Sequence, residues 1–170
     1  MTMDQGKQKS LTGALDALVQ ARRSALEQVR SMPHQMEPVR DVDGVAFVND
    51  SRATFLDATL ESLRGVDARV VWIAGALPAD VSRGPVKEFL REKLSALVLF
   101  GAELEQGIES LEPLVERVYV AEELRTAVFL ARELAMDGEV VLFSPACPSG
   151  PEHANYEERG SAFRQAVRDL

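Results

Sequence analysis

Short, largely apolar runs alternate with amphipathic stretches along most of this chain. The apolar runs lie at residues 69–74, 96–100, 115–120 and 139–143. The stretches between and after them repeat apolar residues at helical spacing, at 54–63, 85–93, 102–110, 122–136 and 156–169. Strands that are apolar on both faces and separated by helices are typical of a mostly parallel sheet with helices on both faces. The pattern therefore predicts an α/β fold.

A hairpin precedes this alternation. Two strand-like segments, at 36–42 and 45–49, flank Asp43-Gly44, a dipeptide suited to a tight turn between antiparallel strands. Pro38 lacks a backbone N–H and so favours an edge position for the first strand. Because the carboxyl ends of parallel strands meet at one edge of the sheet, where α/β proteins usually bind ligands, we expect a site there.

The first thirty residues have a separate pattern. Leucine and valine recur at spacings of three, four and seven from residue 11 to residue 30, which predicts an N-terminal helix that Pro33 ends. Its apolar stripe should be covered, either by the same domain or by a second copy of the chain. We expect a helical extension at 1–35 and the main domain at 36–170.

Composition narrows the class of protein. The chain of 170 residues is long enough for one hydrophobic core. Its net charge of −8 argues against nucleic acid or an anionic membrane as a partner. The single cysteine, Cys147, excludes a disulfide within one chain. The N-terminus lacks an apolar signal segment and no apolar run could span a membrane, so a cytoplasmic protein is expected.

Polar residues follow the strand that ends near residue 49. Ser51 or Thr54 could cap the next helix, whose free N–H groups attract anions, and Asp50 and Arg52 add opposite charges. The segment could equally be a capped helix with a surface ion pair.

A second polar segment, residues 143–150, follows the last strand. It consists of small residues and two prolines, and it could present N–H groups and hydroxyls to a ligand or simply fix the strand exit. Cys147 has no neighbouring His or Asn, so we interpret it as a buried structural thiol rather than a nucleophile. The two histidines, His34 and His153, have no metal-ligand spacing, so no metal site is predicted.

Together, four short motifs resemble a known family. In order they read Met-Pro-His at 32–34, Asn-Asp-Ser-Arg-Ala-Thr at 49–54, Ser-Pro-Ala-Cys-Pro-Ser at 144–149 and Asn-Tyr-Glu-Glu-Arg-Gly at 155–160, followed by Phe163. The chain from about residue 30 to 170 resembles the C-terminal domain of the Mur ligases that add D-glutamate. The resemblance implies a Rossmann-like domain that closes over a separate ATP-binding domain during amide-bond formation.

The resemblance also implies roles for individual residues. His34, Asp50, Ser51 and Arg52 would lie at the nucleotide, while Thr54, Ser149 and Gly150 would contact the incoming amino acid. No catalytic residue is predicted in this chain. ATP and Mg²⁺ would be needed only if a partner supplied the central domain.

The chain departs from the family pattern at several positions. It contains no G-x-x-x-x-G-K-[ST] motif, so no phosphate-binding loop is predicted. The family's motif lysine is Arg52 here, and the family's arginine after the histidine is Gln35. The loop at 75–80, where the family carries a lysine that holds the amino acid's carboxylate, has none.

Two functions remain open on this basis. The chain could be a non-catalytic homologue with a binding, regulatory or scaffold role, which the altered motifs favour. Alternatively, it could be the substrate- and nucleotide-closing domain of a split or truncated ligase, which the retained Asp50, Ser51, Thr54 and Ser149 favour. Partners would be a second copy, through the N-terminal helix, or a Mur ligase central domain in trans.

Overall fold

The structure is a computed structural model, which describes residues 32–78, 81, 84–101 and 115–170. The chain divides into two compact units, Met1–Met32 and Pro33–Leu170, and the described residues belong almost wholly to the second. The helices predicted at 11–30 and 102–110 lie outside the described residues.

Six described strands form one sheet in the order β1-β2-β6-β3-β4-β5. Their bounds are β1 Glu37–Val42, β2 Val45–Asn49, β3 Val70–Ala74, β4 Leu94–Phe100, β5 Val118–Ala121 and β6 Val140–Phe143. The only antiparallel pair among them is β1 with β2. The four described helices are α1 Leu56–Arg64, α2 Gly84–Lys93, α3 Leu124–Leu134 and α4 Tyr156–Arg168. The predicted Rossmann-like α/β fold is confirmed.

The hairpin forms as its sequence predicts. Asp43 and Gly44 both have positive φ, 50° and 79°, and they join strands paired from Val42 to Val45. Two left-handed central residues match the right-handed twist of the flanking strands. Pro38 lies in β1, at the edge of the sheet, as expected.

The central strands are buried on both faces, which explains their unbroken apolar runs. On one face, Val71, Ile73 and Phe143 pack with α3 and α4. On the other, Trp72 and Leu142 pack with α1 and α2. Each helix therefore packs one apolar face against the sheet and leaves its opposite face in water.

Most element boundaries differ from prediction by one to three residues. Helix α1 begins at Leu56 rather than Thr54, because its N-cap residue is Phe55, in extended conformation. Strand β5 begins at Val118 rather than 115, although the Arg117 carbonyl already accepts the Leu97 N–H of β4 at 2.9 Å. No helix in the described ranges combines the length and apolarity that a membrane span requires.

Candidate functional site

The two polar segments meet at the carboxyl edge of the sheet, because β2 and β6 are parallel neighbours. Asn49 and Phe143, the last residues of these strands, are paired. Beyond them, the Asp50 N–H donates to the Phe143 carbonyl at 2.7 Å and the Ala146 N–H donates to the Ala53 carbonyl at 3.1 Å. The segments that the sequence singled out separately therefore form one unit.

Arg159, on α4, joins this unit from outside the sheet. Its guanidinium donates to the Ser51 hydroxyl at 3.1 Å and the Ser51 carbonyl at 2.9 Å. It also donates to the carbonyls of Cys147, at 3.1 Å, and Pro148, at 3.0 Å. Only 1% of Arg159 is exposed. A guanidinium has five N–H donors in a planar fork, and here most of them hold the two loops together.

The charge of Arg159 is buried without a carboxylate in this set of contacts. Burial lowers the pKa of its guanidinium, and the neighbouring Cys147 thiol opposes that shift. Arginine nevertheless keeps its proton in proteins. Four polar contacts to neutral oxygens therefore stabilise a buried cation.

Asp50 forms the floor of a cleft on the α1 side of this edge. Its carboxylate accepts hydrogen bonds from the Met36 N–H at 3.1 Å and the Ser144 hydroxyl at 2.7 Å. The cleft has a volume of about 360 Å³, and its remaining lining includes Gln35, Arg52 and Ser62. We call it the Asp50 cleft. Burial raises the pKa of the Asp50 carboxyl, although hydrogen bonds from Ser62, Ser144 and Met36 oppose the shift.

Replacing Asp50 by asparagine should increase stability at neutral pH. The raised pKa of Asp50 means that the folded state binds the Asp50 proton more tightly than the unfolded state does. The protonated carboxyl therefore stabilises the fold below the ordinary pKa of 3.8, and this stabilisation is lost as the pH rises through the folded-state pKa. The asparagine side chain would remain neutral, while its carbonyl accepts from Met36 and its amide donates to Ser144. We expect Asp50→Asn to gain about 1 kcal/mol at pH 7 and nothing near pH 4, measured by urea unfolding.

The exposed Asp67 provides the matched control, since Asp67→Asn makes the same chemical change in water. A gain for Asp50→Asn that stays constant from pH 4 to pH 8 would contradict the role of burial.

His34 lies behind the cleft rather than in it. It is 5% exposed, and its Nδ1 lies 3.0 Å from Asn49 Nδ2. The same Asn49 nitrogen donates to Glu37 and to the Gly160 carbonyl, and these two bonds account for both of its hydrogens. Burial, and next the charge of Arg164, lower the pKa of the His34 imidazole, which favours the neutral ring.

The other residues predicted at the nucleotide have different environments. Ser51 is completely buried, and its hydroxyl donates to the Tyr156 carbonyl at 2.8 Å. Arg52 is exposed, lines the Asp50 cleft and places its guanidinium 5.9 Å from the centre of the Tyr156 ring. The cleft thus brings together Asp50 and Arg52, with Gln35, whereas His34 and Ser51 support it from inside.

The prediction that Ser51 or Thr54 caps the following helix is wrong. The N-cap of α1 is Phe55, and no side chain accepts a hydrogen bond there. The Ser51 hydroxyl is occupied by Tyr156 and Arg159, and Thr54 precedes the cap by one residue. Helix α4 does have a side-chain cap, since Asn155 accepts from the Glu158 N–H at 2.8 Å.

A second cavity, of about 460 Å³, lies beyond the carboxyl ends of β3, β4 and β6. We call it the Cys147 cavity; its lining includes Gly75, Phe100, Cys147, Gly150 and Arg159. Cys147, predicted to be a buried thiol, is only half-buried. Its sulfur lies so near Gly75 that a Cβ there would be 2.3 Å from it, so any larger residue at that position would require the thiol to move.

The predicted amino-acid-binding residues are not gathered in this cavity. Gly150 lines it, whereas Thr54 and Ser149, both half-buried, line neither it nor the Asp50 cleft. Their roles toward a ligand stay predictions. Among the residues that the structure describes, no three His, Cys, Asp or Glu side chains form a group that could hold a metal ion.

Sequence reasoning gave no role to Arg159, Asn49 or Ser144, which organise the site. Ser144 donates to Asp50, lies 2.8 Å from the Thr59 hydroxyl, and accepts the Trp72 indole N–H at its carbonyl at 2.7 Å. The sequence offered one signal for Arg159, its position before a glycine within a predicted helix. The structure explains that glycine, because an added Cβ at Gly160 would lie 2.2 Å from His34 Nδ1.

Comparison with known proteins identifies relatives over most of the chain. It is 39% identical over 147 residues to the UDP-N-acetylmuramoylalanine–D-glutamate ligase of Geotalea uraniireducens, covering 86% of this chain and 32% of that one. It is 32% identical over 157 residues to the protein of that name from Porphyromonas gingivalis, covering 92% and 35%. The chain spans about a third of the length of these relatives. It matches no family profile.

A solved structure agrees in fold. The UDP-N-acetylmuramate–alanine ligase of Thermotoga maritima superimposes with a TM-score of 0.55 at 14% identity, over 86% of this chain and 32% of that one. The chain is therefore related to the C-terminal region of the D-glutamate-adding Mur ligases, about a third of whose length it covers.

Proposed function

We propose that this chain is a binding or regulatory member of the Mur ligase family that performs no chemistry by itself. The observation that carries the proposal is that the cation lining the Cys147 cavity is already bonded to the protein. Its only guanidinium among the described residues, that of Arg159, makes four hydrogen bonds to oxygens of Ser51, Cys147 and Pro148. A cation committed in this way has little left for a ligand carboxylate.

The loop after β3 supports the same conclusion. It begins Gly75-Ala76-Leu77-Pro78, without a lysine, and Pro78 has no N–H to donate. An ionised carboxylate taken out of water needs several donors or a cation. In this proposal the cavity holds a neutral or largely apolar group, because Phe100, Pro148 and Pro151 also line it.

The second candidate is the nucleotide- and substrate-closing domain of a split or truncated D-glutamate ligase. The relationship of 39% identity over 147 residues and the open Asp50 cleft favour it. ATP and Mg²⁺ would then be bound with a central domain supplied by another chain or segment. The two candidates differ in the ligand that the Cys147 cavity binds.

Location and partners are part of the proposal. A net charge of −8 argues against nucleic acid and anionic membranes as partners, and one cysteine fits a cytoplasmic, reducing compartment. The partner would be a second copy, held through residues 11–30, or a Mur ligase central domain in trans.

D-Glutamate should show no saturable binding to the purified chain at sub-millimolar concentration, as measured by titration calorimetry. The neutral hydroxyls of Thr54 and Ser149 contribute about 0.5–1.5 kcal/mol each, too little to replace a charge-assisted contact. The sample should unfold cooperatively in urea, which shows that a missing signal does not come from unfolded protein.

Micromolar D-glutamate binding that Ser149→Ala weakens would overturn the binding-domain proposal in favour of the split ligase. Val118→Ala, at the amino end of β5, is a suitable control for a change outside the carboxyl edge.

A further inference from the structure

The segment at 34–36 borders the Asp50 cleft, and its backbone has an uncommon conformation. His34 and Met36 both have positive φ, 64° and 44°, which few residues other than glycine adopt. The Met36 N–H donates to the Asp50 carboxylate at 3.1 Å. The Arg52 N–H donates to the His34 carbonyl at 3.0 Å. Two hydrogen bonds to the loop after β2 therefore hold a strained segment, and the shape of the cleft depends on both of them.

The His34 ring anchors this segment in the interior, where it packs against Gly160 of α4 with no room for a Cβ between them. Its Nδ1 lies 3.0 Å from Asn49 Nδ2 and 3.7 Å from Glu37 Oε2. An amide nitrogen only donates, and 3.7 Å is too long for a hydrogen bond. A proton on Nδ1 would therefore have no acceptor while the ring keeps this position. The neutral ring avoids this by carrying its proton on Nε2, whereas the charged ring cannot.

Charged groups on β1 and α4 surround the ring. Burial and the charge of Arg164 lower the pKa of the His34 imidazole from its ordinary 6.5, while the carboxylates of Glu37 and Glu157 oppose the shift. Burial acts against ionisation of Glu37, but the His34 N–H at 2.9 Å and the charge of Arg164 lower the pKa of that carboxyl overall. Glu37 therefore stays ionised over the range in which His34 titrates, and acidification acts on the ring.

We propose that His34 is a proton-operated latch on the Asp50 cleft, which the neutral ring keeps closed and which protonation of the ring releases. The charged ring must leave its position to reach water or the Glu37 carboxylate. Its departure lets the backbone of His34 and Met36 relax, and it breaks the hydrogen bonds from Met36 and Arg52 that shape the cleft. Closure is fully stable above pH 6.5 and is lost as the pH falls through the folded-state pKa of His34. The latch does not depend on the proposed function.

Amide hydrogen exchange of the purified chain, followed by NMR and corrected for the intrinsic rate at each pH, measures the opening. Because opening is coupled to the uptake of one proton, protection of the Met36 and Arg52 amides should fall up to about tenfold between pH 7.5 and pH 5.5. The fall should begin near pH 6.5 and level off where the His34 ring titrates, as its carbon shifts report. A local opening also leaves these two amides less protected than those of β3 at every pH.

Three variants separate the latch from other titrating groups. His34→Asn tolerates positive φ and does not titrate, so protection should no longer depend on pH. His153→Asn, which changes the other histidine, should keep the fall. Asp50→Asn should also keep it, because the new side chain still accepts from Met36 but carries no charge.

A fall that survives in His34→Asn, or that disappears in Asp50→Asn, would overturn the latch. So would a change of less than about twofold in the unchanged chain, or protection equal to that of β3, which would indicate global unfolding. If His34→Asn does not fold, the agreement between the end of the fall and the titration of the ring still decides the matter.

Discussion

Arg159→Met should lower the free energy of unfolding by about 2–3 kcal/mol, since hydrogen bonds to a charged group contribute about 1.5–3 kcal/mol and a buried carbonyl left unsatisfied costs about 1–3 kcal/mol. The methionine fills much of the volume but leaves the carbonyls of Ser51, Cys147 and Pro148 without their donor. Lysine offers a point charge rather than a planar fork, so Arg159→Lys should recover less than half of the loss. Urea unfolding followed by Trp72 fluorescence measures both, since this single tryptophan is buried beside Ser144.

Arg168→Met is the matched control, because Arg168 lies on the last turn of the same helix and is exposed. It should change stability by no more than about 0.5 kcal/mol. A loss of less than about 1 kcal/mol in the free energy of unfolding for Arg159→Met would amount to no more than one ordinary hydrogen bond. That result would show that the guanidinium does not hold the two loops together.

Gly160→Ala is expected to destabilise the fold by about 1–3 kcal/mol, as overpacking does, although alanine is normally about 1 kcal/mol better than glycine within a helix. The reason is steric, since the new Cβ would lie 2.2 Å from His34 Nδ1 and 3.0 Å from its Cε1. Thermal or urea unfolding gives the sign directly.

A double-mutant cycle tests this cause. His34 has a φ of 64°, a conformation that glycine adopts readily, so His34→Gly removes the ring without straining the backbone. Gly160→Ala should then cost at least about 1 kcal/mol less in that background, a coupling typical of residues in contact. Gly65→Ala, where the nearest atom would be 3.4 Å away, should be tolerated. Additivity of the two changes would contradict a clash.

The fold could be predicted from the sequence because its central strands are apolar on both faces. Val70–Ala74 and Val140–Phe143 are buried almost throughout, and unbroken apolar runs of this short length between turn residues are typical of buried strands. The turn at Asp43-Gly44 has a local cause, positive φ, that a dipeptide reveals.

The site could be predicted only in part, because its contacts are not local. Asp50 and Arg52 do line a cleft, as their position after a strand suggested. Ser51 was interpreted as a possible cap or ligand contact, yet its hydroxyl is bound by Arg159, 108 residues away. No spacing rule connects such positions. Spacing likewise could not show that Thr54 and Ser149 would line neither cavity.

The distance in sequence across the Ser51–Arg159 contact also determines when the carboxyl edge can assemble. During synthesis from the N-terminus, the hairpin and β2 are complete about a hundred residues before α4 leaves the ribosome, as the separation of 108 requires. The loop at 49–54 must therefore wait for β6 and then for Arg159. Long-range contacts of this kind form slowly, because the closure of a long loop precedes any gain from the contact. A chain that stops before α4 therefore has all six described strands but lacks the Arg159 contacts that join the two loops at the carboxyl edge.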